Sequence, residues 1–197
     1  MVAKEQNLVS FLAVGDICVN REKPESIFAL TASVLNEPDI AFCQLETMYS
    51  ERGLPALAAT SAMRAHPRNV AGLKHAGFDV VSLAGNHALD WGDDALLDTI
   101  ELLEKNNMRV VGAGKDITEA RKPVILERKG IRIGFLAYNS ILPYRYWADT
   151  GKPGCAPIRV STHYEPVEHE QPGGPAQVLT FANKEDVEAM VSDIQNL

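Results

Sequence analysis

Phe78-Asp79-Val80-Val81-Ser82-Leu83-Ala84-Gly85-Asn86-His87-Ala88-Leu89-Asp90-Trp91-Gly92 passes from an apolar run to a polar turn within a few residues. Val80 to Ala84 reads as a buried strand of a parallel sheet, since such strands are covered on both faces and lose the apolar–polar alternation. The run breaks at Gly85, and Asn86, His87 and Asp90 follow before Asp93-Asp94 opens a helix. In open α/β sheets, ligands bind outside the carboxyl ends of the strands, where such a junction delivers its side chains. Asn86 offers a neutral carbonyl oxygen suited to a divalent cation. His87 brings an imidazole, the side chain class that exchanges protons near neutral pH. The plainer alternative is a capped turn with a hydrogen-bonded histidine.

Two other strand ends carry acids. Leu8 to Val14 is a short apolar strand ending at Gly15-Asp16, and Asp39 to Gln44 is a second one that runs into Leu45-Glu46-Thr47. Asp16, Glu46 and Asn86 therefore stand at the same kind of place. Two carboxylates and an amide oxygen at one sheet edge form a half-shell for one or two divalent cations. Three unrelated polar loop starts would give the same pattern.

Between these strands the spacing predicts a helix from Pro24-Glu25, with Ile27, Leu30 and Val34 on one side, and a short helix from Pro67 to His75. Residues 48 to 66 read as a surface loop. The strongest helix covers about 93 to 105, with Leu96, Ile100 and Leu103 inward and two aspartates complementing the dipole at its start. Arg109 to Val111 is a further strand. Gly112-Ala113-Gly114 lacks the third glycine and the following helix of a dinucleotide site. Lys129-Gly130 joins Val124–Arg128 to Ile131–Tyr138 as a hairpin. Residues 139–177, rich in proline and glycine, read as a long irregular loop. A brief strand, 177 to 181, precedes a last helix capped by Asn183, with Val187, Met190, Val191 and Ile194 on one face. The class is α/β.

The whole chain narrows the functional classes. Its 197 residues suffice for one sizeable core, and a net charge of −7 opposes non-specific binding to nucleic acid or anionic membrane. No run reaches eighteen apolar residues and no secretory signal opens the chain, so a cytoplasmic location is expected. Cys18, Cys43 and Cys155 are odd in number and form no C-x-x-C pair, which fits reduced thiols rather than a zinc ribbon or disulfide framework.

Gly15-Asp16, Leu45-Glu46-Thr47, the block from Gly77 to Gly92 and Val110-Val111-Gly112-Ala113-Gly114 together resemble the bacterial capsule-synthesis (CapA/PgsA-type) family, from about residue 8 to the end. That family is associated with poly-γ-glutamate production and is similar in fold to calcineurin-like metallophosphoesterases. The resemblance implies that residues 8–197 form the amino-terminal portion of a partial four-layer α/β/β/α fold. It implies that Asp16 ligates a first divalent metal (Mn, Zn, Fe or Mg), that Glu46 bridges, and that Asn86 ligates a second. His87 would be the general acid or anion-stabilising group, and Asp90 either orients His87 or caps the helix start. The substrate would be a small or polymeric anionic or peptidic molecule, cleaved at a phosphoester or amide. A non-enzymatic role in polymer assembly or export, or an inactive fragment, is the alternative.

Three departures stand out. Gln44-Leu45-Glu46 replaces the family's Asn-Leu-Glu, and Cys18 stands where the phosphoesterases have a histidine and the capsule family an apolar residue. The family's His-Trp-Gly and Gly-His-His-Pro-His segments do not occur in the 197 residues. His163, Glu165, Glu168 and His169 lie at no recognised ligand spacing and read as a solvated loop rather than replacements. Self-association, or a partner chain carrying the histidine-rich half, is therefore expected. His66 and His75 read as surface or capping residues, and Tyr144, Tyr146 and Trp147 as a cluster lining a cleft or burying a lid.

Overall fold

A computed structural model describes residues 8–57, 59, 61–168, 170 and 173–197. Along the chain run β1 (Phe11–Ile17), α1 (Ala32–Leu35), β2 (Ile40–Leu45), β3 (Met48–Tyr49), β4 (Arg64–Ala65), α2 (Val70–His75), β5 (Val80–Ser82) and α3 (Gly92–Lys105). There follow β6 (Arg109–Val111), β7 (Ala113–Gly114), α4 (Ile117–Ala120), β8 (Val124–Arg128), β9 (Ile131–Phe135), β10 (Gly154–Cys155), β11 (Val160–Pro166), β12 (Ala176–Ala182) and α5 (Lys184–Gln195). The architecture is mixed α/β around a parallel sheet ordered β1-β2-β5-β6.

The sheet forms where the apolar runs predict it. Ile40, Ala41, Cys43 and Leu45 of β2 and all three residues of β5 are buried. α3 lays Ala95, Leu96, Thr99, Ile100 and Leu103 into the core, a helical stripe, and starts at Gly92 with Asp93 and Asp94 in its first turn. The buried Thr99 hydroxyl donates to the Ala95 carbonyl at 2.7 Å and accepts the Tyr49 amide at 2.9 Å, so both of its roles are used. Among the described residues no helix is long and apolar enough to cross a membrane.

The β8–β9 hairpin closes through Lys129 and Gly130, whose φ values of +53° and +77° are those of a two-residue turn matching strand twist. Phe135 of this hairpin lies 5.8 Å from Phe11 and 6.2 Å from Phe42, ring centre to ring centre, so it packs on β1 and β2. Polar ties pin the same contact. Arg128 donates to the Asp79 carboxylate at 3.0 Å and to the Asp39 carbonyl at 3.1 Å, while Lys129 reaches the Asp39 carboxylate at 2.7 Å.

Asp39 also accepts the amide and hydroxyl of Ser10. The Lys129 hydrogen bond, then those from Ser10, hold its carboxyl down at about 2, against an ordinary 3.8. A carboxyl whose pKa is lower in the folded chain stabilises the fold above its unfolded pKa and loses that contribution as pH falls through the folded value. Asp39→Asn is therefore expected to melt below the parent at pH 6, with the gap closing between pH 3.8 and about 2. Thermal melts across that range check it, and an equal gap at both ends would contradict it.

Four expectations need correction. β1 runs on through Gly15 to Ile17, because the ladder to β2 resumes at Asp16–Gln44 after an irregularity beyond Ala13; Asp16 thus lies inside the strand. The segment after Pro24 is a 3-10 turn, Pro24–Phe28, followed by the four-residue α1, and Leu30 is 94% exposed, so the buried anchors are Phe28 and Leu35 rather than the predicted stripe. Residues 48–66 contain the parallel β3–β4 pair, each strand two residues long and too short for a periodic signal. Residues 139–177 hold β10, which pairs with β7, and β11, which pairs in an antiparallel ribbon with β12, the strand expected over 177 to 181. That ribbon is exposed along almost its whole length, so the sequence carries no inward–outward alternation. His163 and Glu165 stand on β11 and Glu168 follows it; His169 lies outside the described residues.

α5 forms as expected, with the Asn183 side chain accepting the Asp186 amide at 3.0 Å. Val187 and Met190 are half-buried, while Val191 and Ile194 are exposed. Arg159 grips Asp186, and Arg121 and Tyr138 grip Asp193, fastening the helix to the rest of the chain.

Candidate active site

The register of the parallel sheet brings the sequence-derived residues to one edge. Asp16 pairs with Gln44, Ile17 with Leu45, and Gln44 with Ser82, so β1, β2 and β5 end side by side. The Glu46 amide donates to the Ile17 carbonyl at 3.0 Å, carrying the ladder one step past β2 and fixing where Glu46 emerges. After β5 the chain folds through successive tight turns: the Gly85 amide donates to Leu83, Ala88 to Gly85 and Asp90 to His87. This winding lifts Asn86, which is exposed, and His87, which is half-buried, out of the sheet edge.

His87 stands between two carboxylates. Its Nδ1 lies 2.6 Å from Asp90 Oδ2, and its Nε2 lies 3.7 Å from Glu46 Oε1. Asp90 is buried and accepts from two further donors, the Met63 amide at 2.8 Å on Oδ2 and the Tyr146 hydroxyl at 3.0 Å on Oδ1. An oxygen pair already receiving these protons is an acceptor, which assigns the His87 proton to Nδ1 and leaves Nε2 facing Glu46 and solvent. Burial, and after it the bond to Asp90, pushes the Tyr146 phenol up, so this hydroxyl stays a donor.

The loop before β4 is pressed onto Asp90. The Ala56 amide donates to the Asp90 carbonyl at 2.7 Å, and Gly53, at φ +89°, lies so close to the Trp91 carbonyl that a Cβ there would sit 1.9 Å from its oxygen. On the other side the Asn139 side-chain amide donates from Nδ2 to the Ala84 carbonyl at 2.7 Å, and the Cys155 thiol approaches the Leu83 carbonyl at 3.2 Å. Burial pushes that thiol up to about 12, so it remains protonated and inert as a nucleophile. The exposed Cys18 receives the Thr47 hydroxyl on its sulfur.

The structure thus joins His87 to Asp90 directly, brings Glu46 to 3.7 Å from the other ring nitrogen, and sets Asp16 and Asn86 on neighbouring segments of the same edge. Among the described residues no three His, Cys, Asp or Glu side chains form a group able to hold a metal ion. The hard oxygens of Asp16, Glu46 and Asn86 suit part of a divalent-cation shell and do not close one. His66 caps the 3-10 turn Pro67–Asn69 by accepting the Arg68 amide, as a capping residue should. Tyr146 is buried, Tyr144 is exposed, and Trp147 meets Tyr144 edge-on. The bond from Tyr146 to Asp90 spans 56 residues and has no sequence signal.

The fold is a parallel sheet in a mixed α/β chain, with the Asp90–His87 pair on the turn after β5 and Glu46 3.7 Å from the other ring nitrogen. The chain belongs to the family described as bacterial capsule synthesis protein PGA_cap, whose model matches residues 10–197. It is 34% identical over 125 residues to a Mycobacterium tuberculosis protein named "Probable polyglutamine synthesis accessory protein", covering 61% of this chain and 33% of that one. It is 26% identical over 161 residues to the Bacillus subtilis "PGA biosynthesis protein CapA", covering 77% and 42%, and 24% identical over 162 residues to the Bacillus anthracis "Capsule biosynthesis protein CapA", covering 77% and 39%. The aligned part spans about a third to two fifths of these relatives.

Proposed function

We propose that the chain serves the synthesis or processing of a poly-glutamate-type capsule polymer through a hydrolase-type site at the sheet edge. The observation that carries this reading is the hydrogen-bonded sequence Tyr146–Asp90–His87, ending with Nε2 directed at Glu46. A surface turn needs no buried carboxylate held by three donors, whereas a proton-transferring imidazole does. In this reading His87 takes up a second proton on Nε2, becoming an imidazolium whose Nδ1–H Asp90 holds, and passes the Nε2 proton to the leaving atom of a phosphoester or amide, returning to the Nδ1–H form. Asp16, Glu46 and Asn86 form part of a divalent-metal shell within a metallophosphoesterase-like fold, the remaining ligands coming from outside the 197 residues. A metal there would polarise the scissile group, and its charge would offset the repulsion between an anionic polymer and a chain of net charge −7.

An accessory role without catalysis is the second reading. The β11–β12 ribbon favours it, because a two-stranded ribbon exposed on both faces is marginal alone and is suited to assembly. Calorimetric titration with manganese, zinc, iron and magnesium, followed by incubation with poly-γ-glutamate and a generic phosphodiester, separates the two. Weak metal binding is expected from the open donor set, together with slow metal-dependent cleavage that Glu46→Gln abolishes. Polymer binding with no cleavage under any metal would favour the accessory reading. Tight stoichiometric metal binding by a stable monomer would show the shell already complete.

A further inference from the structure

We propose that Tyr146 is a positioning residue of the edge site, its hydroxyl acting through Asp90 to fix which nitrogen of His87 carries the proton and where Nε2 points. The inference deepens the hydrolytic reading and rests on it for its purpose, but its geometry stands alone. A carboxylate on a single methylene can rotate, and one donor does not fix it. Asp90 is held by three donors from three separate segments: Met63 N–H and His87 Nδ1 on Oδ2, Tyr146 on Oδ1. Met63 and His87 share one oxygen, so Tyr146 is the donor in this set that occupies the other. Without it Oδ1 would sit buried and unpaired, and the carboxylate would turn, releasing His87 Nδ1.

Tyr146 is itself well anchored. Its ring lies in the main core cluster, its amide donates to the Pro143 carbonyl at 3.0 Å, and its carbonyl accepts the Cys155 amide at 2.9 Å. β10, which carries Cys155, pairs with β7, so the phenol is referenced to the end of the parallel sheet rather than to a free loop. Burial keeps the phenol protonated, as the role requires. The same segment holds the far side of the turn through Asn139 and Cys155.

The test reads the His87 tautomer directly, in long-range proton–nitrogen spectra of protein labelled at histidine nitrogens, at a pH where imidazoles are neutral. His87→Gln assigns the signals. The parent is expected to show His87 as one Nδ1–H tautomer, Tyr146→Phe comparable populations of both tautomers, and the exposed control Tyr144→Phe the parent pattern. Where turnover is measurable, Tyr146→Phe should lower kcat about tenfold with KM unchanged. A parent without the Nδ1–H form, or Tyr146→Phe retaining it alone, would overturn the proposal. If Tyr146→Phe does not fold, 3-fluorotyrosine incorporated throughout strengthens the phenol as a donor without changing its shape; the His87 signals should then move, and unmoved signals would overturn it equally. Mixed tautomers in Tyr146→Phe beside undiminished turnover in His87→Ala would keep the positioning role and remove the hydrolytic one.

Discussion

On the hydrolytic reading proposed above, His87→Ala is expected to lower turnover by roughly a hundredfold or more while leaving substrate binding nearly unchanged. The expectation follows from where the imidazole is and what it lacks. One nitrogen is committed to a buried carboxylate, and the other stands 3.7 Å from Glu46 at the open edge of the sheet. A group that merely bound substrate would contribute equally to ground and transition states and would raise KM when removed. A group that gives a proton as a bond breaks contributes in the transition state, and its loss falls on kcat. Steady-state rates of parent and His87→Ala on a cleavable phosphodiester or γ-glutamyl polymer measure the split, with His66→Ala as a control at a capping histidine. Unchanged kcat in His87→Ala would reduce the Asp90–His87 pair to a structural tie.

Sequence patterning reaches as far as short-range physics does. Buried parallel strands announce themselves as apolar runs, so β2 and β5 fall close to expectation, as does the less buried β6, and α3 and α5 follow from their stripes and first-turn groups. Lys129-Gly130 is legible because few residue pairs accept positive φ at both turn positions. That Glu46 and Asn86 leave the sheet beyond β2 and β5 comes from the same reasoning, since a parallel sheet delivers its strand ends together, whereas Asp16 stays inside β1. The grip on Asp90 is different. Met63 and Tyr146 reach it from loops 27 and 56 residues away, and a long-range hydrogen bond leaves no periodic trace. β11 hides for another reason: all seven of its residues are exposed, so composition alone governs it and that composition resembles a loop, whereas its partner β12 covers the strand expected over 177 to 181.

Asp90→Ala is expected to cost roughly 2–5 kcal/mol of folding stability, a much larger loss than His87→Ala should cause. Asp90 is 2% exposed and serves three donors. Truncation leaves the Met63 amide and the Tyr146 hydroxyl facing a space without an acceptor, and each buried unpaired donor costs about 1–3 kcal/mol. Removing His87 leaves Asp90 with both of its other donors and deletes a side chain that is already partly exposed, so little is orphaned. Against a total stability of about 5–15 kcal/mol for a domain, the Asp90 loss is large. Urea denaturation should show the midpoint of Asp90→Ala falling well below the parent with an unchanged slope, whereas the His87→Ala midpoint should stay close to it. Asp90→Asn should fall between them, because its amide keeps the shape and one acceptor oxygen but turns two donors toward groups that also donate. A midpoint for Asp90→Ala equal to the parent's would mean that water replaces the carboxylate at no cost. In that case the network holding His87 would be too loose to set its proton, and Tyr146 could not act through it.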